Sequence, residues 1–144
     1  MPPLHTIGYE TTTQPALIAR LKAAGVDTLI DVRAVASSRR AGFSKSLLAG
    51  SLAEAGIAYV HLRQLGTPKP GRDAARHGRI GEMTAIFNDH MAEPAAQLEL
   101  AKAVALARDH TVALLCFEAD HARCHRKILA DLIQAELGCE VATL

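Results

Sequence analysis

Two short apolar runs constrain the fold of this chain more than any other feature. Residues 26–32 (VDTLIDV) and 111–117 (TVALLCF) are too short for buried helices, and apolar side chains occupy neighbouring positions in both. A strand with one face in water alternates apolar and polar residues, whereas a strand covered on both faces reads as a continuous apolar run. The two runs therefore predict central strands of a sheet that is covered on both sides.

Helical patterns lie between the strand-like runs. Apolar stripes at helical spacing run through residues 14–24, 44–55, 81–91, 94–105 and 122–137, and glycines or prolines bound them. Leu4-His5-Thr6-Ile7 and residues 57–61 are further strands, and residues 65–71 are too rich in Gly and Pro for regular structure. Alternating strands and helices predict a single-domain α/β fold over residues 1–144, with three layers: a mainly parallel sheet and helices on both faces.

Composition limits the classes of protein that the chain can belong to. There is no basic and apolar leader segment, and no stretch approaches the length of a membrane span, so we expect a cytoplasmic protein without a membrane partner. Three cysteines, an odd number, argue against a disulfide framework. No Trp and few Tyr or Phe argue against binding single-stranded nucleic acid by base stacking.

Positive charge is concentrated in two loop-like segments, although the net charge of the chain is only +1. Residues 33–45 carry four basic side chains and no acid, and residues 61–79 carry five against one acid. Both segments follow predicted strands. In parallel sheets, ligands bind beyond the carboxyl ends of the strands, so the two segments predict an anion-binding cleft at that edge.

The segment from Cys116 to Arg126 joins the last long strand to the last helix and holds thiols, imidazoles, guanidiniums and carboxylates. The N-terminus of a helix binds anions and favours thiolates. Cys116 and Cys124 are eight residues apart without a Cys-x-x-Cys motif, so a Cys/Cys/His zinc site is only weakly indicated, and we predict no metal and no cofactor. A phosphatase-like loop needs Arg six residues after Cys, where this chain has Ala122 and Ala130.

Four ordered blocks of sequence resemble the domain-of-unknown-function family 488. They are Thr6-Ile7-Gly8-Tyr9; Asp31-Val32-Arg33 with Ser38-Arg39 and Gly42-Phe43-Ser44-Lys45; Tyr59-Val60-His61-Leu62 with Leu65-Gly66-Thr67-Pro68-Lys69; and Cys116-Phe117-Glu118 with Cys124-His125-Arg126. The resemblance covers nearly the whole chain. It implies an α/β fold and a shared site, and it implies no particular activity.

Each candidate residue has a structural alternative to its functional role. Cys124 shares a helical stripe with Ile128 and Leu132, which favours a buried thiol over a reactive one, and Cys116 also has the pattern of a core residue. Glu118 is either an acid/base or the partner of a nearby Arg. His125 is a helix cap, the partner of Glu118 or a general base, and the same ambiguity applies to His61.

Four functions remain open. The leading hypothesis is an enzyme acting on a nucleotide, nucleic acid or other phosphate-bearing substrate, with Glu118 as acid/base, His125 assisting, and Cys124 shaping the helix start or acting as a secondary nucleophile. The anion would be held by Arg33, Arg39, Lys69, Arg126 and His61. The alternatives are a module that binds nucleic acid without catalysis, and a regulatory interaction domain. A more distant alternative is sulfur transfer, because residues 29–33 (LIDVR) resemble part of the rhodanese sulfurtransferases.

Overall fold

The five strands found in the described part of the chain belong to one parallel sheet. The structure is a computed structural model that describes residues 2–120 and 124–144. The strands are β1 (Leu4–Gly8), β2 (Thr28–Asp31), β3 (Ala58–His61), β4 (Val112–Cys116) and β5 (Val141–Thr143), in the order β3-β2-β4-β1-β5. Every neighbouring pair is parallel, including the pair formed by the two central apolar runs. The prediction of a mainly parallel sheet is confirmed.

Helices cover both faces of the sheet. They are α1 (Gln14–Ala23), α2 (Lys45–Glu54), α3 (Lys69–Arg76), α4 (Ile80–Met91), α5 (Pro94–Asp109) and α6 (His125–Leu137). Leu29 packs in the same cluster as side chains of α1 and α2, whereas its neighbour Ile30 packs with side chains of α3 to α6. Adjacent strand residues point to opposite faces, so both need apolar partners. This explains why the strand runs lack polar alternation, and it confirms the predicted α/β fold with three layers.

The Gly/Pro-rich segment contains more regular structure than the sequence predicted. A 3₁₀ turn spans Arg63–Leu65, and α3 begins at Lys69, within the segment that we expected to be irregular. Pro68 is the N-cap and Pro70 lies in the first turn, where a helix needs no backbone N–H donor. Proline here starts a helix rather than preventing one.

Three large side chains of the apolar stripes predicted for the helices face solvent instead of the core. Leu47 of α2 is 62% exposed, Leu98 of α5 is 61% exposed and Leu132 of α6 is 37% exposed. In α5 the buried positions belong to Ala96, Ala103 and Ala107, whose small side chains let the helix lie close to its neighbours. The stripe of larger residues therefore does not mark the buried face of α5.

The carboxyl ends of the central strands meet at one edge of the sheet. Gly8 of β1 pairs with Cys116 of β4, and Asp31 of β2 pairs with Leu115 of β4 and with His61 of β3. The segments that follow these strands leave the sheet at this common edge. Among the described helices, none is long and apolar enough to cross a membrane.

Candidate functional site

A cleft of about 300 Å³ opens at the carboxyl edge of the sheet. The segments after β1, β2 and β4 supply one part of its wall, and α3, α4 and the start of α6 supply the rest. Its lining consists of Tyr9, Arg33, Ala34, Val35, Thr67, Arg72, Arg76, Met83, Cys116, Phe117, Glu118, Cys124 and His125. This volume is at the lower end of the range for small-molecule sites.

A buried ion pair fixes the segment after β2. Arg33 Nε lies 2.8 Å from Asp31 Oδ1, and Nη2 lies 2.6 Å from Oδ2, while Asp31 is fully buried. Nη1 of Arg33 donates to the carbonyl of Phe43 and to the hydroxyl of Tyr9. Burial lowers the pKa of Arg33, but the hydrogen bond and charge of Asp31 outweigh it, so this pKa is raised. Most donors of Arg33 are thus used inside the protein, which leaves little capacity for a substrate.

Tyr59 completes this network from the adjacent strand. Its hydroxyl donates to Asp31 Oδ2 at 2.5 Å. Burial and this hydrogen bond raise the pKa of Tyr59 above its ordinary value. The Asp-Val-Arg motif therefore organises the loop after β2 and the floor beneath it.

Two histidines bind successive carbonyls of that loop. His125 Nε2 lies 2.8 Å from the carbonyl oxygen of Val32, and His61 Nε2 lies 2.8 Å from that of Arg33. A carbonyl only accepts, so Nε2 carries the proton in both rings. Burial lowers the pKa of His125 to about 4, and the hydrogen bond to Val32 only partly opposes this. His125 is therefore neutral, with an unprotonated Nδ1 that lies 3.5 Å from Cys124 Sγ.

Cys116 and Cys124 meet at the floor of the cleft. The structure joins their sulfurs as a disulfide with Cα atoms 7.6 Å apart, although the cysteine count argued against a disulfide framework. Both side chains are buried, and Cys124 is the N-cap of α6. The proposed start of α6 at residue 122 lies outside the described residues. Cys139, the third cysteine, is free and buried near the end of that helix.

Glu118 follows β4 and lines the cleft. Its Oε2 lies 3.5 Å from Cys116 Sγ, and its backbone carbonyl accepts from Arg126 Nη2 at 2.6 Å. The backbone here is closely packed, because a Cβ on Gly8 would lie 1.8 Å from that same carbonyl oxygen. The end of β1 thus holds the position of Glu118.

Arg126 is fully buried and lies outside the lining of the cleft. Its Nε and Nη1 have no hydrogen-bond partner among the described residues. Burial lowers the pKa of Arg126 to about 10, which the charges of Glu118 and Asp120 partly oppose. The guanidinium therefore holds the segment after β4 through its hydrogen bond to the carbonyl of Glu118.

The structure gathers some of the predicted site residues and separates others. Glu118, Cys124, His125 and Arg33 line one cleft, and Arg126 bonds the backbone of Glu118. Arg39 and Lys69 are exposed and do not line it. His61 borders a second, more open depression of about 470 Å³ with Lys45 and Arg63.

Sequence reasoning overlooked Arg72, Arg76, Tyr9 and Phe117, which also line the cleft. Arg72 and Arg76 are four residues apart, so a helix places them on one face. A helix starting at the prolines before Arg72 would have revealed this pair. Tyr9 stacks on Phe43 and meets Phe117 edge-on, with centroid distances of 4.5 Å and 5.4 Å.

No curated protein and no solved structure shows a significant match to this chain. The family model described as "Domain of unknown function DUF488" matches residues 14–133. That range includes β2 to β4 and the cleft residues from Arg33 to His125. The chain therefore belongs to the DUF488 family.

Proposed function

We propose that the protein is an enzyme acting on a small phosphate-bearing molecule of mononucleotide size, which it binds in this cleft. The observation that carries the proposal is the pairing of two kinds of lining surface. Arg72 and Arg76 bring positive charge, while Val35 and Phe117 bring exposed apolar surface to the same cleft. A nucleotide has both complementary parts, a charged phosphate and a flat base.

The two arginines of α3 suit a phosphate. Arg72 is half-buried, and its Nη1 donates to the carbonyl of Thr67 at 2.9 Å, which fixes the side chain over the cleft. Arg76 is exposed and lies 3.6 Å from Asp73. Guanidinium groups bind phosphate through paired, charge-assisted hydrogen bonds, which are stronger than neutral ones. A phosphate would therefore lie between these two side chains and the floor.

The apolar part of the cleft favours a small molecule with a ring. Val35 is 55% exposed and Phe117 is 41% exposed, and both side chains line the cleft. A base that stacks on Phe117 would remove its apolar surface from water. A volume of about 300 Å³ accommodates one nucleotide unit rather than a folded nucleic acid.

Glu118 is our choice of acid/base. It is half-buried, it lines the cleft, and its backbone is held by Arg126 and by the close approach of Gly8. A positioned carboxylate transfers protons effectively when its geometry is fixed relative to the substrate. The short link to β4 supplies that fixed geometry.

The binding arm of the proposal is tested with adenosine monophosphate as the probe, using calorimetric titration at several salt concentrations. Arg72→Ala should weaken binding by about tenfold or more, the effect of losing one charge-assisted hydrogen bond. Arg108→Ala is the matched control, because it removes an exposed arginine at the end of α5, which leads into the opposite edge of the sheet. Equal effects of the two variants would contradict binding in the cleft.

A short single-stranded DNA distinguishes the alternative of a nucleic-acid module. If that DNA binds more tightly than the mononucleotide, with a steep salt dependence that Arg39→Ala and Lys69→Ala flatten, the exposed basic loops are the binding surface. The cleft proposal expects these two variants to leave mononucleotide affinity unchanged within about twofold.

The catalytic arm is tested with Glu118→Gln, which removes the charge and keeps the shape. Incubation of the wild type with a panel of mononucleotides, followed by phosphorus and proton nuclear magnetic resonance, should detect a product. We expect Glu118→Gln to bind as the wild type does and to lose about 10²–10⁴-fold in rate. Full turnover by this variant would remove Glu118 from the mechanism.

A further inference from the structure

We propose that Cys116, Cys124 and His125 form a zinc site at the floor of the cleft, with a fourth coordination position open to it. The two Sγ atoms and a ring nitrogen of His125 all lie within 4.8 Å of one another, and all three residues are buried. Thiolate and imidazole are the ligands that Zn²⁺ prefers. The inference goes beyond the proposed function, because zinc binding does not require the phosphate site.

The hydrogen bond of His125 prepares its other nitrogen for a metal. Nε2 donates to the carbonyl of Val32, so Nδ1 carries no proton and its lone pair is available to a metal. Nδ1 lies 3.5 Å from Cys124 Sγ. Zinc-binding histidines usually donate their second ring N–H to a carboxylate or a backbone carbonyl, which fixes the tautomer and the orientation of the ring. This is the arrangement seen here.

The backbone separation of the cysteines suits a shared ion. Their Cα atoms are 7.6 Å apart. Disulfides usually hold Cα atoms about 4.4–6.8 Å apart, whereas two thiolates on one tetrahedral zinc are about 3.8 Å apart at their sulfurs and allow a wider backbone. In the reduced chain, the same backbone places both thiols within reach of a single metal ion.

The site has the ligand count of catalytic rather than structural zinc. Structural sites use four protein ligands, and catalytic sites use three and leave one position for water. All three ligands line the cleft, and Glu118 Oε2 lies 3.5 Å from Cys116 Sγ. Two thiolates and a neutral imidazole on Zn²⁺ give no net charge. An ion held by these three residues would make a water in the open position more acidic, and Glu118 would be the group that accepts its proton.

The experiment uses the full chain kept in a phosphine reductant, which supplies the two electrons that convert the disulfide to two thiols. Co²⁺ is added to the metal-free protein, and Zn²⁺ is measured by competition with a chromogenic chelator. Binding of either ion by the two thiols releases two protons. We expect one ion per chain and, with cobalt, an intense thiolate-to-metal charge-transfer band that zinc abolishes.

Cys124→Ser should remove the charge-transfer intensity of one thiolate. It should weaken zinc binding by more than the roughly 10–100-fold that loss of an outer partner costs. Cys139→Ser is the matched control, because it makes the same replacement at another buried cysteine of the chain, and it should change neither band nor stoichiometry. If Cys124→Ser unfolds by circular dichroism, the wild-type cobalt spectrum alone decides.

Three results would overturn the proposal: no thiolate-to-cobalt band in the reduced wild type, equal losses in Cys124→Ser and Cys139→Ser, or thiol titration under reductant that finds Cys139 alone. The outcome for the proposed phosphate site is independent of the outcome for the zinc site. An Arg72→Ala chain that binds zinc normally but no mononucleotide supports both sites, and a wild type that binds zinc without any mononucleotide leaves the metal site in place.

Discussion

Asp31 and Arg33 form an ion pair whose loss should be costly and strongly coupled. Asp31 is fully buried, Arg33 is only 6% exposed, and their closest contact is 2.6 Å. Asp31→Ala leaves a buried guanidinium whose Nε and Nη2 have lost their acceptor. Arg33→Met leaves a buried carboxylate that retains the hydroxyl of Tyr59 and a backbone N–H.

Each single replacement should lower the free energy of unfolding by about 3–5 kcal/mol, because it leaves one charge buried without its partner. The double variant removes both charges, so its cost should fall about 2–3 kcal/mol short of the sum of the two single costs. A domain has only about 5–15 kcal/mol in total, so the variants should be compared near the temperature of maximum stability.

Urea unfolding of the four proteins, followed by circular dichroism, measures this cycle. Equal m-values across the set would show that only the native state has changed. The interpretation of Asp31 and Arg33 as a structural pair would be refuted by single costs below about 1 kcal/mol, which are typical of exposed pairs, or by strictly additive costs.

Two further predictions concern β1. Burial lowers the pKa of His5, so below pH 6.5 the unfolded chain binds a proton at this residue more readily than the native state does. The free energy of unfolding therefore keeps the full contribution of His5 above pH 6.5 and loses it as the pH falls. His5→Leu should make this loss shallower in thermal melts from about pH 7.5 to 5. Gly8→Ala should lower the free energy of unfolding by about 1–3 kcal/mol in urea, because its Cβ meets backbone atoms after β4. Gly50→Ala in α2, where a Cβ meets nothing within 4 Å, should instead raise it by about 0.5–1 kcal/mol; a loss as large as that of Gly8→Ala would contradict the steric argument.

The layers of the fold follow from local sequence, whereas the order of the strands does not. Leu29 and Ile30 are adjacent and both apolar, and this is sufficient to predict a strand covered on both faces. The same runs carry no information on which strand lies beside which. That order depends on helices such as α5, whose close packing on small alanines is a tertiary property.

The predictability of the site follows the same division. Glu118, Cys124 and His125 lie together because a strand end and a helix start are joined by a short segment, which the sequence shows directly. Arg39 and Lys69 belong to the basic segments, but the direction of a loop side chain depends on backbone angles that residue type does not determine. The pair of arginines on α3 was missed because Pro68 and Pro70 were interpreted as part of an irregular loop, whereas they lie at the start of a helix.

The position of β1 in the sheet has a consequence for the order of events during synthesis. β1 pairs with β4 and β5, so Gly8 must wait for a partner 108 residues later, at Cys116. Ribosomes add about 5–20 residues per second, so the first strand remains unpaired for about 5–20 seconds. Among the described strands, β2 and β3 are the one neighbouring pair that is also consecutive along the chain, so they are the first pair of neighbours to be synthesised. Leu4 and Ile7 therefore lack their strand partners throughout this interval, and β1 can join the sheet only after the chain has been synthesised through Cys116.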